Sequence, residues 1–265
     1  MTLEDGYVLG RAIEDSVRLD AQHLLWKLHS GFELHPDIPI QEDMKIADLG
    51  TGTGIWIFDL AAQLPTVQIH GFDISDSQFP SKELWPRNIT LGLLNSLVDP
   101  PSSLHGQYDV VHLRMWASNL RGKDISSLSR HIKHLLKPGG YLQWEEADLV
   151  HQHIKGVKAE DFERNINEIF KRANLDYSWA SNLPGHLQED FNILQSETGR
   201  FKPELVQLCT NTYLMALREI LHGIKRPLAH DMLVSTKQEV ALYQLQNTKS
   251  CIYNWSPVVI LAQKK

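Results

Sequence analysis

Apolar positions change their spacing several times along this 265-residue chain. Over residues 7–30 they recur with a period near 3.6 and are interleaved with charged side chains, a pattern that predicts an amphipathic helix. Pro36 and Pro39 stop that helix, so residues 34–41 are expected to form an extended connector. Residues 1–43 are therefore predicted to form an N-terminal helical cap.

Over residues 44–148, short apolar runs alternate with helical patterns. The helical patterns cover 54–63 and 125–136, and the second is followed by a Lys-Pro-Gly-Gly turn at 137–140. The apolar runs predict strands, which fall at 45–49, 68–73, 89–94, 108–113 and 141–145. Because strands and helices alternate, we predict an α/β core: a doubly wound, mostly parallel sheet with helices on both faces.

The pattern changes over residues 149–252. Helical spacing at 157–174 and 203–224 predicts a helical insertion or lid on the carboxyl edge of the sheet. We expect this region to shape the pocket for a small apolar ligand, with aromatic side chains that enclose it: Trp179, Phe191, Phe201 and Tyr213. Residues 253–265 contain a last apolar run, which predicts a C-terminal strand that completes the sheet.

The formal net charge of −6 at pH 7 and the pI near 6.1 give no global reason to expect binding to nucleic acid or to an anionic membrane. A small or neutral substrate is favoured. The opening residues include Glu4 and Asp5 where a signal peptide would be basic, and no apolar run approaches bilayer length. The two cysteines, Cys209 and Cys251, are too few for a disulfide framework and lack metal-ligand spacing, so we expect a reducing compartment, the cytoplasm or the nucleus.

The 13 histidines raise the question of a metal site. They are scattered along the chain, and pairs such as His131/His134 and His151/His153 lack an HExxH-like frame with a third ligand. We therefore expect no bound metal.

A glycine-rich turn, Gly50-x-Gly52-x-Gly54, joins the first predicted strand to a helix. Glycines there allow positive φ and let a ligand approach the backbone closely. Dinucleotide enzymes prefer the spacing GxGxxG with a pyrophosphate at the helix N-terminus. Asp48, just before the turn, would repel a pyrophosphate but suits a cationic ligand, such as a sulfonium cofactor with an α-amino group.

A second carboxylate, Asp73, ends the next predicted strand about twenty residues past the turn, where it can accept hydrogen bonds from ribose hydroxyls. This position is shared with NAD enzymes, so it indicates a nucleoside without identifying it. The structural alternative is a helix N-cap ahead of Ser75.

Residues 48–54 (DLGTGTG) resemble motif I of class I S-adenosylmethionine-dependent methyltransferases. Residues 108–114 and 135–146 are similar to that family's fourth strand and post-core segment. The combination, with the N-terminal segments 7–11, 16–23 and 34–36, resembles the fungal branch that contains LaeA-like and other secondary-metabolite methyltransferases. The resemblance covers roughly residues 7–148. It implies a Rossmann-like fold with a seven-stranded sheet, and S-adenosyl-L-methionine as cofactor.

The resemblance also implies roles for single residues. Gly50 and Gly52 would line the methionine moiety, Asp73 would hold the ribose, and Ile74 would pack on the adenine. Asn95 stands where the family often has an aspartate that accepts from the adenine amino group, a bond that an amide oxygen still accepts. The full set of expected cofactor-binding residues is Tyr7, Arg11, Asp48, Gly50, Thr51, Gly52, Asp73, Ile74, Asn95, Ser96, His112 and Arg114.

Two of these assignments have alternatives. Tyr7 and Arg11 would fold over the cofactor, with the Arg11 guanidinium at its carboxylate, or else belong to a solvated helix face. His112 could face the methyl donor, or strand alternation could turn it into the flank of the sheet.

Methyl transfer is an in-line displacement, so the protein mainly aligns the reactants, excludes water and sometimes supplies a base. The candidate bases are His112, Glu146, His186 and His222. Of the neighbours Glu145 and Glu146, one is expected to point toward the acceptor pocket and the other away.

Three functions fit the sequence. The first is N- or O-methylation of a small molecule in secondary-metabolite biosynthesis. The second is a LaeA-like regulatory methyltransferase in a nuclear protein complex, against which the lack of disordered extensions argues mildly. The third is a pseudo-methyltransferase that binds the cofactor and catalyses a non-methylating reaction. An NAD-dependent oxidoreductase is disfavoured because it would place a pyrophosphate beside Asp48.

Overall fold

The computed structural model describes residues 9–120, 122, 124–225, 232–248 and 251–265, so Tyr7 lies outside the described residues. Seven strands are assigned in this part of the chain: β1 Lys45–Leu49, β2 Gln68–Asp73, β3 Ile89–Leu93, β4 Tyr108–Arg114, β5 Leu136–Lys155, β6 Phe191–Thr198 and β7 Ile252–Lys264. The α-helices are α1 Ile13–Ser30, α2 Ile55–Gln63, α3 Ser126–Leu135, α4 Val157–Arg172, α5 Leu183–Leu187, α6 Val206–Lys225 and α7 Met232–Gln246.

The strands form one sheet in the order β3-β2-β1-β4-β5-β7-β6. Neighbours from β3 to β5 are parallel, and β7 runs antiparallel to both β5 and β6. The order reverses between β1 and β4, which is where doubly wound sheets leave a crevice for ligands. The predicted α/β fold with a mostly parallel seven-stranded sheet is confirmed.

Both faces of the sheet are covered. The larger hydrophobic cluster includes Ala47, Leu49 and Trp144, and a second cluster on the opposite face includes Ile46 and Ile57. Adjacent residues of β1 thus enter different clusters, because side chains alternate across a strand. Burial on both sides explains why these strands read as continuous apolar runs.

The N-terminal cap contains α1. The Asp15 carboxylate accepts a hydrogen bond from the Ala12 N–H at 2.6 Å, and Gly31 ends the helix at φ 77°. The helix packs against α6 and α2. Arg18 fixes the first of these contacts through two hydrogen bonds to the Glu219 carboxylate, from Nε at 2.5 Å and from Nη2 at 2.9 Å. A forked pair of this kind fixes both position and orientation.

Two strand predictions need correction. The fifth strand is not limited to 141–145 but extends over Leu136–Lys155 and includes the expected turn at 137–140. Gly139 has the left-handed φ of 72° that suits the expected turn, and residues 137–140 form a bulge between the β4 pairings of Leu136 and Tyr141, so the strand is assigned through the turn. The segment 149–252 is not helical throughout, because it contains β6 and the end of β5. β6 is an edge strand that pairs only with β7 and carries mostly polar residues, so its pattern is weak.

None of the helices described in the structure is both long enough and apolar enough to cross a bilayer.

Candidate functional site

The glycine turn follows β1 and is held to the end of β2. Gly50, Gly52 and Gly54 have φ of 71°, 56° and 76°, the left-handed region that favours glycine. The N–H groups of Gly50 and Thr51 donate to the Phe72 carbonyl at 2.8 and 3.0 Å. The backbone of the turn is therefore fixed in shape before any ligand arrives.

Neighbouring side chains close in on the turn. A Cβ atom at Gly50 would lie 3.1 Å from the indole nitrogen of Trp116, and one at Gly52 would lie 3.1 Å from Leu19. Trp116 is itself fixed, since its indole N–H donates to the Leu49 carbonyl at 2.9 Å. The space over the turn is thus a narrow slot between Trp116 and α1.

A cavity of about 500 Å³ opens from this slot. Its lining includes every expected cofactor-binding residue that the structure describes: Arg11, Asp48, Gly50, Thr51, Gly52, Asp73, Ile74, Asn95, Ser96, His112 and Arg114. These residues come from the cap and from the carboxyl ends of β1 to β4, and we call this part the cofactor end. The structure brings them together, while their roles stay predictions.

Asp73 links the turn to its own loop. Its carboxylate accepts from the Gly52 N–H at 2.9 Å and from the Ser75 N–H at 3.2 Å. Burial raises the pKa of Asp73, against these bonds and the positive charge of Arg11, which act to lower it. The alternative of a helix N-cap is wrong, because residues 74–81 form no helix.

The Asn95 side chain forms a local turn. Its Oδ1 accepts from the Leu97 N–H at 2.9 Å, and the residue is exposed at the rim of the cavity. An amide oxygen has a second lone pair, so this bond leaves one acceptor position for a ligand.

His112 lies fully buried in β4 beside Asp48, its register partner in β1. Its Nδ1 is 2.7 Å from Asp48 Oδ1, its Nε2 is 3.6 Å from Glu145 Oε2, and its ring stacks on Trp56 at 3.7 Å. Burial opposes the charged ring, but the two carboxylates outweigh it and raise the pKa of His112. This setting favours a charged hydrogen-bond donor over a general base.

Glu145 pairs with a cation on the same face. Arg114 Nε donates to its carboxylate, and Arg114 Nη1 lies 3.0 Å from Nδ1 of His23 on α1. Burial raises the pKa of Glu145, but Arg114 and His112 outweigh burial and bring it to about 2. Glu145 is therefore ionised and structural, and it does not line the cavity.

Glu146 points to the opposite face and is also fully buried. Its carboxylate accepts from the N–H groups of Trp116 at 2.8 Å and Ala147 at 2.9 Å, and burial raises the pKa of Glu146 to about 7. Glu145 and Glu146 do point to opposite faces, but neither lines the cavity, which corrects the expectation that one would face the acceptor. Glu146 instead holds the backbone of Trp116, the wall of the glycine turn.

The other two candidate bases lie away from the cavity. His186 is exposed on α5, which packs against β6. His222 is exposed on α6, 3.5 Å from Glu239, on a different side of the helix from the cavity-lining Leu217 and Ile220. Helical periodicity accounts for this, because a step of two residues turns a side chain by roughly 200°.

The second part of the cavity, which we call the acceptor end, was not located from the sequence. It is lined by mostly apolar and aromatic residues: Leu149, Phe170, Tyr177, Thr212, Tyr213, Ala216, Leu217, Ile220 and Trp255. The spacing 213, 216, 217 and 220 on α6 was the one available signal, and it resembles any buried helix face. Of the four aromatics expected to enclose a ligand, only Tyr213 lines the cavity, because Trp179, Phe191 and Phe201 are buried in the core.

One group of potential metal ligands lies beneath the cofactor end. Atoms of His23, Glu33 and Asp59 come within 4.8 Å of one another. Lys27 donates to Asp59 and lies 3.8 Å from Glu33, while Arg114 lies 3.9 Å from Glu33. These cations already supply the positive charge that the carboxylates require. The expectation of no metal stays a prediction.

Residues 47–142 match the model of a methyltransferase domain. The chain is 38% identical over 154 residues to methyltransferase grgD of a Penicillium species, covering 55% of this chain and 53% of that protein. It is 33% identical over 151 residues to N-methyltransferase tcpN of Claviceps purpurea, with coverage of 55% and 53%. The secondary metabolism regulator laeA of Coprinopsis cinerea is 31% identical over 134 residues, 48% of this chain and 30% of that protein.

The chain spans about half the length of the first two relatives, 53% of each. Among solved structures, phosphoethanolamine N-methyltransferase 2 of Haemonchus contortus, in complex with S-adenosylhomocysteine, superposes with a TM-score of 0.51 at 17% identity, covering 92% of this chain and 52% of that chain. That likeness shows the fold. The matches confirm the resemblance to S-adenosylmethionine-dependent methyltransferases and to their fungal secondary-metabolite branch.

Proposed function

We propose that this chain transfers a methyl group from S-adenosylmethionine to nitrogen or oxygen of a small-molecule acceptor in secondary-metabolite biosynthesis. The observation that carries the proposal is one cavity with two chemically different ends. The cofactor end contains a glycine turn between the carboxylates of Asp48 and Asp73, and the acceptor end is apolar and aromatic. A reaction between two bound molecules needs such an arrangement, because donor and acceptor must meet in a space that excludes water.

The residues of the cofactor end fit this cofactor. The slot over Gly50 and Gly52 has no room for Cβ atoms, so it leaves bare backbone for a ligand. Thr51 Oγ1 is buried beside the turn and has no hydrogen-bond partner among the described residues. Asp48 carries negative charge toward a cationic group, and Asp73 keeps acceptor capacity for ribose hydroxyls.

When bound, the sulfonium supplies a methyl carbon already activated for in-line displacement. The chain then has to orient the two reactants and keep water out. His112 fixes the Asp48 carboxylate, and Glu146 fixes Trp116 over the turn. We further propose that residues 149–252 form the acceptor-pocket region, since α4 and α6 both contribute to its lining.

Binding of S-adenosylhomocysteine, measured by isothermal titration calorimetry, tests the proposal first. We expect saturable binding that Asp73→Asn weakens at least about tenfold, the loss expected when a charged hydrogen-bond acceptor becomes neutral. Asp76→Asn, an exposed carboxylate on the same loop, is the matched control and should leave affinity unchanged. NAD should not bind. Failure of S-adenosylhomocysteine to bind would refute the proposal.

Transfer itself is tested with methyl-labelled cofactor and a panel of ring amines and phenols. Label in an extracted organic product supports a methyltransferase. Cofactor binding without transfer to any acceptor favours the third hypothesis, a cofactor-binding protein that catalyses another reaction.

The similarity to laeA supports a second candidate function, regulation within a nuclear protein complex. Affinity purification from fungal nuclei separates the two, because a regulator should retain a stable protein partner and place label on protein. We place the small-molecule reaction in the cytoplasm, since both Cys209 and Cys251 are free, buried thiols that suit a reducing compartment. Microscopy of the tagged chain tests this location.

A further inference from the structure

Glu163 on α4 is a buried carboxyl group that has uncharged partners. Only 5% of the residue is exposed. Its Oε1 accepts from the Tyr213 hydroxyl at 2.9 Å and from Gln152 Nε2 at 2.7 Å. Among the described residues, no lysine, arginine or histidine forms an ion pair with it. Burial raises the pKa of Glu163 to about 7, against the hydrogen bonds, which lower it.

Two other buried carboxylates near the cavity have cations, whereas Glu146 has none among the described residues and holds the backbone of Trp116 instead. Glu145 pairs with Arg114, and Glu219 pairs with Arg18. A buried carboxyl without a cation costs folding free energy, and an apolar side chain of similar size would avoid that cost. The hydrogen bonds of Glu163 are to side chains, so Glu163 does not fix backbone as Glu146 does.

Glu163 lies directly behind the wall of the acceptor end. Tyr213, whose hydroxyl donates to Glu163, lines the cavity. Phe170 lines it as well and is seven residues after Glu163 on α4, which places both on the same face of the helix. Gln152 reaches the same carboxylate from β5. Side chains from α4, α6 and β5 thus meet at the hydrogen-bonded pair of Glu163 and Tyr213, behind an otherwise apolar wall.

The surrounding charges restrict what this wall can accept. No charged residue is present among the described residues that line the acceptor end. Arg18 lines the same cavity, but its guanidinium is held by Glu219. An anionic group at the acceptor end would therefore lie close to the Glu163 carboxylate without a cation of its own.

We propose that Glu163 and Tyr213 form the polar anchor of the acceptor subsite and select an uncharged ring compound that presents an N–H or O–H donor. The inference rests on the proposed function and names its substrate class. The donor would hydrogen-bond to the Tyr213 hydroxyl oxygen while that hydroxyl donates to Glu163. When the acceptor nitrogen or oxygen forms its bond to the methyl carbon, the C–S electron pair stays on sulfur. The acceptor's proton passes to the Tyr213 oxygen as the hydroxyl proton passes to Glu163.

Fragment binding to the full chain tests this anchor without needing the natural acceptor. Indole, phenol and benzoate are titrated by calorimetry, each with and without saturating S-adenosylhomocysteine. We expect indole and phenol to bind at least about tenfold more tightly than benzoate, because benzoate would bury its charge without a cation. Equal or tighter binding of benzoate overturns the proposal, as does the absence of binding by all three fragments.

Two conservative variants test whether Glu163 and Tyr213 cause the preference for indole over benzoate. Glu163→Gln and Tyr213→Phe should each reduce the ratio of indole to benzoate affinity by about fivefold or more. The matched controls are Glu160→Gln on the same helix and Tyr243→Phe, both exposed. A purely structural role would lower the melting temperature and leave the ratio unchanged, a result that overturns the proposal. If S-adenosylhomocysteine does not bind, the proposed function fails. That outcome is distinguishable from failure of the anchor, because the fragments are also titrated in the absence of S-adenosylhomocysteine.

Discussion

Replacing Glu145 by glutamine should remove a large part of the acid sensitivity of folding. Glu145 is fully buried between Arg114 and His112, and its pKa is lowered to about 2 from the ordinary 4.5. A lowered folded-state pKa means that the ionised group stabilises the fold above pH 4.5 and that this stability is lost as the pH falls toward 2. A shift of this size corresponds to about 3 kcal/mol at neutral pH, of which roughly 1 kcal/mol is gone by pH 3.5.

Urea unfolding at pH 6.5 and pH 3.5 measures this difference. The wild type should lose about 1 kcal/mol more than Glu145→Gln between the two pH values. At pH 6.5 the variant should be less stable by about 3 kcal/mol or more, because Arg114 is left without its carboxylate. Glu160→Gln is the exposed control and should follow the wild type. Parallel pH profiles for wild type and Glu145→Gln would refute the reasoning.

Three further predictions follow from single contacts. Gly50→Ala should lower the free energy of unfolding by about 1–2 kcal/mol, because Gly50 has a positive φ that alanine adopts with strain. The added Cβ atom should also crowd Trp116 and weaken S-adenosylhomocysteine binding in calorimetry, and unchanged affinity would contradict this. Arg18→Met should lower the free energy of unfolding, measured with urea, by about 3–5 kcal/mol, because Glu219 stays buried and unpaired. Adding Glu219→Leu should restore most of the lost stability, a recovery that a purely local packing loss would not allow. Glu146 has a pKa raised to about 7, so its protonated form stabilises the fold fully below pH 4.5 and this contribution is lost as the pH rises toward 7. The wild type should therefore lose about 2 kcal/mol of stability between pH 5 and pH 7 in the same assay, and Glu146→Gln should abolish this decline. An unaltered decline in the variant would contradict the role of Glu146.

The parallel half of the sheet could be predicted from the sequence because its signals are local. β1 and β2 have the predicted bounds, since β1 is a short apolar run buried on both faces and β2 is centred on the buried Ile69 and Gly71. β5 and β6 could not be predicted in the same way. The residues at 137–140 favour a turn locally and form a bulge within β5, while β6 is largely polar and depends on pairing with β7.

The two ends of the cavity also differ in how locally the sequence encodes them. The cofactor end was predictable because Asp48 and the glycines lie within seven consecutive residues, and because Asp73 follows at the end of the neighbouring strand. The acceptor end combines residues from β5, α4, α6 and β7, each with an unremarkable helical or strand pattern. The candidate bases His186 and His222 are wrong because the sequence does not show which side of a helix faces the cavity.

Sequence alone determined the class of fold and the glycine turn, because strand, helix and turn patterns repeat at short spacing along the chain, and the family resemblance implied the set of residues around the turn. Tertiary structure alone decided that His112 is held between two carboxylates, that Glu146 supports Trp116, and that Glu163 meets Tyr213 from 50 positions away. The physical reason is that a side chain's charge and role depend on burial and on partners brought together by folding. Those partners lie far apart in the chain and leave no periodic trace in it.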